Sequence, residues 1–257
     1  MNIRGAWGVV TMLLLGAAGI SCGKTNTGPD VPVSIEFKHP QLQSMLVNDQ
    51  LHDTLGNIDS LQAIVFNSSG DTIHGAVIRY VHADTTHVVN IDSITGHVMA
   101  LDTGAARVVA QTATLQSPPE TLFVVQTPTV FTNSTPLEDT LVFRPVRTDT
   151  LFPLSVVLKA GTNPINHYRI EYRFVYPAAL NTPDTTQILL TDANRHFSLV
   201  DTTGSTAVPG AATRYLHITP FTHFTTDTVV VEARAFFPNH TPVPGSPLRF
   251  KVLVQIQ

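Results

Sequence analysis

The part of this sequence that most resembles a reactive centre is the stretch GISCGK at positions 19–24. The pattern G-x-S-x-G around Ser21 is that of the sharp turn that presents the nucleophilic serine of many hydrolases. If Thr25 is included, the stretch ends in G-K-T, as does a loop that binds nucleotide phosphates. A third kind of chemistry is that of the Cys22 thiol, which closes an apolar run.

The surroundings of Ser21 argue against both catalytic interpretations. A nucleophile turn needs a buried strand before the serine and a helix after it. Here an apolar leader precedes Ser21, and the polar sequence TNTGPD begins at residue 25. The phosphate-binding pattern G-x-x-x-x-G-K requires a glycine where this chain has Ala18. We therefore predict no catalytic residue, no cofactor and no enzymatic activity.

Residues 1–21 are predicted to be a cleaved signal peptide. Arg4 is the sole charged residue of this stretch, and residues 6–20 are apolar with one exception. That run is too short to cross a bilayer, for which about 20 apolar residues are needed. A charged start, a short apolar core and small residues after it are typical of a secretory signal. Cleavage is expected between Ser21 and Cys22.

Positions 19–22, GISC, resemble the lipobox of bacterial lipoproteins, with Gly19 where that family usually has leucine. In such proteins the leader is cleaved before the cysteine and the cysteine is acylated. The resemblance therefore implies lipid attachment, by palmitate or a similar acyl chain, at Cys22. Cys22 is also the sole cysteine of the chain, and a lone thiol in an exported protein needs such an explanation. The alternative is a plain signal peptide that happens to contain a cysteine.

The lipoprotein resemblance also implies a location and a partner. Two or more acyl chains hold a protein stably in a membrane, so the membrane is expected as a partner through the lipid anchor. Gly23 follows the cysteine, whereas an aspartate there would signal retention in the inner membrane. The expected location is the cell envelope, lipid-anchored in the outer membrane on its periplasmic face or at the cell surface.

The composition indicates an all-β protein. Eighteen prolines and 15 glycines interrupt the chain, and threonine and valine, which favour strands, are abundant. Loss of the leader removes only Arg4, which leaves 14 basic and 19 acidic side chains. This balance, without a basic cluster, argues against a nucleic-acid partner. The remaining length and the many short strand signals predict two immunoglobulin-like antiparallel β-sandwich domains.

Turn and strand signals divide the chain into segments. Residues 22–32 are polar with glycine and proline, and we expect them to be a tether between the lipid and the first domain. The first domain is predicted at residues 33–127. Residues 128–138, rich in threonine and proline, are predicted to be a linker, and residues 139–257 a second β-sandwich domain.

Residues 88–108, VVNIDSITGHVMALDTGAARV, resemble the later part of a bacterial immunoglobulin-like domain of group 2. Gly96 and Gly104 stand where the turns of that family require glycine, and Tyr80 takes the place of its usual tryptophan. The resemblance extends over the predicted first domain. It implies a spacer or adhesive module without shared catalytic residues. We assign the second domain to no family.

Strict alternation of apolar and polar side chains marks strands of the second domain, as expected for antiparallel strands that are wetted on one side. One strand is predicted to place a single apolar row toward the core: Tyr168, Ile170, Tyr172, Phe174 and Tyr176. A second strand is predicted to bury Val229, Val231, Ala233 and Ala235 and to expose Val230, Glu232 and Arg234.

The 11 histidines do not have the spacing of a metal site. The closest pairs, His82/His87 and His217/His223, are five and six residues apart. The sequence has no H-x-H and no H-E-x-x-H pattern, and its sole cysteine is the predicted lipid site. We predict no metal ligand.

The leading hypothesis is a non-enzymatic, lipid-anchored cell-envelope protein whose immunoglobulin-like modules act as a spacer or binding module. The alternative is an adhesin or carbohydrate-binding surface lipoprotein with a defined ligand, and its partners would be envelope or surface proteins or glycans. Trp7, the sole tryptophan of the sequence, would be lost with the leader, so a sugar platform would need tyrosines: Tyr168, Tyr172, Tyr176 and Tyr215. A third hypothesis, an anchored hydrolase, needs a pocket with convergent polar residues. The sequence names no ligand-binding residue.

Overall fold

The computed structural model describes residues 31–112, 115–143, 150–181, 188–204, 208–218 and 227–256. The predicted cleavage site between Ser21 and Cys22, the lipid site Cys22 and most of the tether lie outside these residues. Within them the chain forms strands and one 3-10 helix, Ala178–Asn181. No helix of the described ranges has the length and apolar character that crossing a bilayer requires. The predicted all-β class is confirmed.

The first nine described strands form what we call the N-terminal module. They are β1 (Ser34–Lys38), β2 (Ser44–Leu46), β3 (Gln62–Phe66), β4 (Arg79–His82), β5 (Val89–Ile91), β6 (Val98–Ala100), β7 (Gly104–Thr112), β8 (Leu115–Gln116) and β9 (Glu120–Val125). One sheet has the order β2-β9-β7-β4, with β8 paired to β7, while β1 pairs with β3 and β5 with β6. Side chains from all three groups of strands fill one core.

The next ten described strands form the C-terminal module. They are β10 (Val130–Asn133), β11 (Glu138–Phe143), β12 (Thr150–Ala160), β13 (Asn163–Pro164), β14 (Arg169–Tyr176), β15 (Leu189–Thr191), β16 (Val200–Thr202), β17 (Ala211–Ile218), β18 (Asp227–Arg234) and β19 (Leu248–Ile256). One sheet has the order β10-β12-β17-β15, with β13 paired to β12, and the other has the order β11-β19-β18-β14-β16. The two sheets enclose the larger core.

Both modules begin in the same way. The first strand pairs antiparallel in one sheet, through β1 with β3 and β10 with β12. The second strand then crosses to the other sheet and pairs in parallel with the last strand of the module, through β2 with β9 and β11 with β19. The predicted immunoglobulin-like sandwiches are confirmed. The strands are not all antiparallel, because the crossing adds one parallel pair at a sheet edge in each module.

Residues 128–138, predicted to be a linker, are partly built into the C-terminal module. Val130 lies opposite Lys159 in the pairing of β10 with β12, and the Phe131 side chain is buried in the larger core. The carbonyl of Leu137 accepts a hydrogen bond from the backbone N–H of Lys251. The stretch is rich in threonine and proline, as linkers often are, yet it contains the core strand β10. It is therefore not a flexible linker along its whole length. The division into independently folding domains stays a prediction.

The strand β14 departs from its predicted alternation at one end. Tyr168, Ile170, Tyr172 and Phe174 are buried as predicted, but Tyr176 is 50% exposed. The cause is an irregularity in the pairing with β18, where Phe174 lies opposite Val231 and Tyr176 opposite Val230. A β-bulge of this kind adds one residue and re-aims the side chain that follows. The prediction that Tyr176 faces the core is therefore wrong.

Tyr80 lies in the core of the N-terminal module, as the sequence predicts. Its side chain is 7% exposed and meets the Phe37 ring edge-on, with 6.1 Å between the ring centroids. Gly96 is needed beside it, because φ is +73° there and a Cβ atom would lie 3.0 Å from the tyrosine ring. The neighbouring Arg79 is exposed on the opposite face of β4.

Replacement of Tyr80 by alanine should destabilise the N-terminal module. Loss of a buried ring costs roughly 3–5 kcal/mol by analogy with phenylalanine. Arg79→Ala, on the wetted face, should change stability by less than about 0.5 kcal/mol. Thermal melts of both variants test this, and an equal or larger loss for Arg79→Ala would mean that the register of β4 is wrong.

Candidate functional site

The two modules meet at a short connection. β9 ends at Val125 and β10 begins at Val130, so only residues 126–129 lie between them. Leu46 at the end of β2 is buried within the core cluster of the C-terminal module, and Val125 packs against the same cluster. Apolar surface of the N-terminal module is therefore buried by its neighbour, which stabilises their contact by roughly 25 cal/mol for each Å² removed from water.

Two turns of the same kind recur at this junction. Each turn has five residues, and the two turns start at Asp53 and at Phe237. In both, the N–H of the first residue donates to the carbonyl of the fifth residue, and the N–H of the fourth residue donates to the carbonyl of the first. Gly56 and His240 occupy the fourth position with φ of 82° and 62°. This is a tight hairpin turn whose left-handed fourth residue suits the twist of the strands.

The Gly56 turn is packed directly on the other module. A Cβ atom on Gly56 would lie 2.3 Å from the carbonyl oxygen of Pro238 and 3.1 Å from the His240 ring. The His52 ring braces the turn, with its two ring nitrogens each 3.1 Å from an acceptor, the Gly56 carbonyl oxygen and the Asp49 carboxylate. Only a residue without a side chain allows this approach, so the contact is specific.

A stacked ring pair closes another part of the junction. The rings of Phe123 in β9 and His167 lie 3.6 Å apart and are inclined by 3°. His167 has φ of 63°, and its N–H donates to the carbonyl of Thr203 over 2.7 Å. Burial lowers the pKa of His167, so protonation works against the folded form. The contribution of this group to stability is complete above its ordinary pKa near 6.5 and is lost as the pH falls through the lowered value.

Three clefts open along the junction. The first, of about 280 Å³, lies between the two turns and is lined by Asp53, Tyr168, Arg169, Glu171 and His240, among others. The second and third, of about 400 and 280 Å³, lie on either side of the stacked ring pair. In the first cleft the guanidinium of Arg169 is 3.1 Å from Glu171, and the Tyr168 hydroxyl donates to the Phe236 carbonyl over 2.6 Å. Arg169 and Glu171 thus pair with each other, and the tyrosine hydroxyl is satisfied by a backbone carbonyl.

The histidines of the sequence do not assemble into a metal site where their placement is known. His87 is exposed, His82 is half-buried and His217 is buried, while His223 lies outside the described residues. Among the residues that the structure describes, no group of three or more histidine, cysteine or acidic side chains could hold a metal ion.

The sheet β11-β19-β18-β14-β16 carries a buried carboxylate on its outer face. The Glu232 side chain is only 2% exposed and accepts hydrogen bonds from three guanidinium groups. Arg173 Nε and Arg234 Nε lie 2.9 and 2.8 Å from Oε2, and Arg249 Nε lies 3.2 Å from Oε1. In register, Arg173 and Arg249 stand directly opposite Glu232 on the neighbouring strands. We call this group the arginine cluster.

The sequence predicts that Glu232 is exposed on a wetted face, and this prediction is wrong because the side chain is buried. The face is the predicted one, but three long arginine side chains cover the carboxylate. Alternation within β14, β18 and β19 indicates that Arg173, Glu232 and Arg249 all lie on the polar faces of their strands. Their register could not be derived, because the pairs are 59 and 17 residues apart in the chain.

The four tyrosines proposed as a sugar platform do not form one. Tyr168 and Tyr172 are core residues, and Tyr215 is half-buried. Burial raises the pKa of Tyr172 well above its ordinary range, and its hydroxyl donates to the Ala212 carbonyl over 2.9 Å. Tyr176 alone among the four is exposed, and its hydroxyl donates to Asp227 over 3.0 Å.

No protein-family model and no curated protein matches this sequence. Solved structures resemble the fold, among them the Yersinia pseudotuberculosis adhesin InvE, with 12% identity over 86% of this chain, 58% of that chain and a TM-score of 0.35. The surface layer protein SbsC, domains 1–6, has 10% identity over 88% of this chain, 29% of that chain and a TM-score of 0.33. Fibronectin(III)-like modules of Clostridium thermocellum CbhA have 10% identity over 86% of this chain and 94% of that chain, with a TM-score of 0.33. The chain spans less than two thirds of InvE and SbsC, and similarity at this level carries no argument about function.

Replacement of Glu232 by glutamine should destabilise the C-terminal module. It leaves three clustered guanidinium groups without their central anion, at a cost of roughly 3 kcal/mol. Glu171→Gln is the matched control on the same face, where the carboxylate is 43% exposed and a loss below about 1 kcal/mol is expected. Thermal melts compare the two, and equal losses would mean that the buried carboxylate does not stabilise the sheet.

Proposed function

We propose that this chain is a non-enzymatic, lipid-anchored protein of the bacterial cell envelope. In this proposal its two immunoglobulin-like modules hold a binding surface at a set distance from the membrane. Residues 22–32 act as the tether, the group 2-like module at 33–127 lies next to it, and the second module follows. The expected location is the outer membrane, on its periplasmic face or at the cell surface.

The junction between the modules is the observation that carries the spacer role. Modules joined by a flexible linker sample many orientations, whereas here residues 126–129 leave little freedom. Gly56 lies against Pro238, the Phe123 ring stacks on His167, and Leu46 is buried in the neighbouring core. Together these contacts resist bending, which is what a spacer needs.

The chemistry of the clefts supports a function other than catalysis. An active site needs a nucleophile or a base within hydrogen-bond reach of a group that orients it. In the first junction cleft, Arg169 and Glu171 pair with each other, and the Tyr168 hydroxyl is committed to a backbone carbonyl. The second carboxylate there, that of Asp53, accepts hydrogen bonds within its own turn. Each of these groups is therefore satisfied within its own module.

A binding role, the alternative of an adhesin or carbohydrate-binding lipoprotein, needs a surface that a ligand can reach. The outer face of the sheet that contains the arginine cluster offers one, since the side chains of Arg173 and Arg249 are 49% and 66% exposed. Envelope or surface proteins and glycans are the partners that such a surface would take. The spacer and binding roles are compatible, because this face belongs to the C-terminal module, whereas the tether precedes the N-terminal module in the chain.

The lipid anchor is tested by Cys22→Ala. Without the thiol no acyl chain can be attached, and each buried methylene contributes about 0.8 kcal/mol to membrane binding. The variant should leave the membrane fraction for the soluble fraction and lose incorporation of labelled palmitate. Ser21→Ala is the control, because it keeps a small residue before the cysteine and should remain in the membrane. If Cys22→Ala stays with the membranes, the anchor is not at this residue.

A further inference from the structure

The arginine cluster leaves positive charge unbalanced. Three guanidinium groups surround Glu232, so two positive charges have no counterion within the cluster. Each guanidinium has five N–H donors, and the contacts with Glu232 use a minority of them. The partial exposure of Arg173 and Arg249 keeps the remaining donors within reach of a ligand.

The acids near the cluster have partners of their own. Glu171 is bound by Arg169 over 3.1 Å, and Asp227 accepts a hydrogen bond from Tyr176. Glu138 of the edge strand β11 lies opposite Lys251 in the parallel pairing with β19. Asp227 keeps its negative charge, since a phenol hydroxyl does not neutralise it, but it lies five residues from Glu232 on β18. The unbalanced positive charge is therefore concentrated on the three arginines. The buried Glu232 carboxylate also limits the motion of their side chains, which lowers the entropic cost of binding.

An exposed aromatic ring lies on the same face. The bulge in β14 places Tyr176 opposite Val230, which is two residues from Glu232 on β18. Side chains two residues apart on a strand share a face and are separated by about 7 Å. The 50% exposed Tyr176 thus stands one same-face position along from the cluster, where regular alternation would have turned it into the core. Its hydroxyl is directed to Asp227, on the side away from Glu232.

We propose that this face binds an acidic polysaccharide, with carboxylates of the polymer on the Arg173 and Arg249 guanidinium groups and a sugar ring on Tyr176. Guanidinium groups match the planar carboxylate with two parallel hydrogen bonds, and an exposed phenol ring offers a flat apolar surface to a sugar. Of the tyrosines that the sequence offers for a sugar, this site uses Tyr176 alone, and the arginine cluster adds the acidic character of the ligand. The inference rests on the binding part of the proposed function, and it does not require the lipid anchor.

Other polyanions fit this face less well. Nucleic-acid-binding domains are strongly basic overall, whereas this chain has a formal net charge of −4 at pH 7. Protein interfaces depend on aromatic anchors in desolvated pockets, whereas Tyr176 lies on an open sheet face. The chain's own membrane is also a poor match, because the N-terminal module separates the tether from this face in the sequence.

The test measures binding of the full chain in detergent solution to polygalacturonate, with dextran as the neutral polymer and polyglutamate as a carboxylate polymer without sugar rings. Polygalacturonate should bind, dextran should not, and polyglutamate should bind at least several-fold more weakly. Arg249→Ala should weaken polygalacturonate binding roughly tenfold, the usual effect of losing a hydrogen bond to a charged group. Tyr176→Ala should weaken polygalacturonate binding and leave polyglutamate binding unchanged.

Arg79→Ala is the matched control, since it removes one exposed arginine from the other module and should leave binding unchanged. Arg249→Glu, a second variant at a largely exposed side chain, should abolish binding while the protein still melts cooperatively. The proposal is overturned if polygalacturonate does not bind, if polyglutamate binds equally well, or if Arg79→Ala and Arg249→Ala have the same effect. None of these results would bear on the anchor or the spacer role, which the Cys22→Ala fractionation and the rigidity of the junction test separately.

Discussion

The four residues between β9 and β10 are the constraint on which the arrangement of the two modules depends. A fully extended chain of this length spans at most about 14 Å. Both of its ends are engaged, since Val125 packs against the larger core and the N–H of Thr129 donates to the carbonyl of Lys159. The modules must therefore touch, and residues at the contact have to accommodate each other. The glycine at position 56 and the flat stack of Phe123 on His167 are consequences of this proximity.

The outer face of the C-terminal module depends in the same way on strand register. Arg173, Glu232 and Arg249 form one row because β14, β18 and β19 pair without irregularity at this point. A shift of one residue in any of these strands would turn its row to the other face and break the cluster. The bulge near the end of β14 is such a shift, because its extra residue moves Tyr176 from the core side of the sheet to the outer side. The composition of this surface is thus a result of pairing geometry.

Much of the fold could be predicted from local pattern, because period-two alternation and turn residues report on the strand that contains them. The burial of Tyr80 and Tyr172 follows from such patterns. The burial of Glu232, the exposure of Tyr176 and the strand β10 could not be predicted, since each depends on a partner strand distant in sequence. The turn with His240 at its left-handed position carries none of the glycine that usually marks it. The junction and the candidate binding face, on which the proposed function depends, belong to this second group.

The distance distribution between the modules tests the central claim, a junction that resists bending. Nitroxide labels at Ile94→Cys and Val208→Cys, in a Cys22→Ala background, report on exposed positions of the two modules in pulsed electron paramagnetic resonance. We expect one narrow distribution of distances at neutral pH, and a broader one when Gly56→Ala forces its turn away from Pro238. A broad distribution in the protein with native Gly56 would contradict the account, because the modules would then move independently.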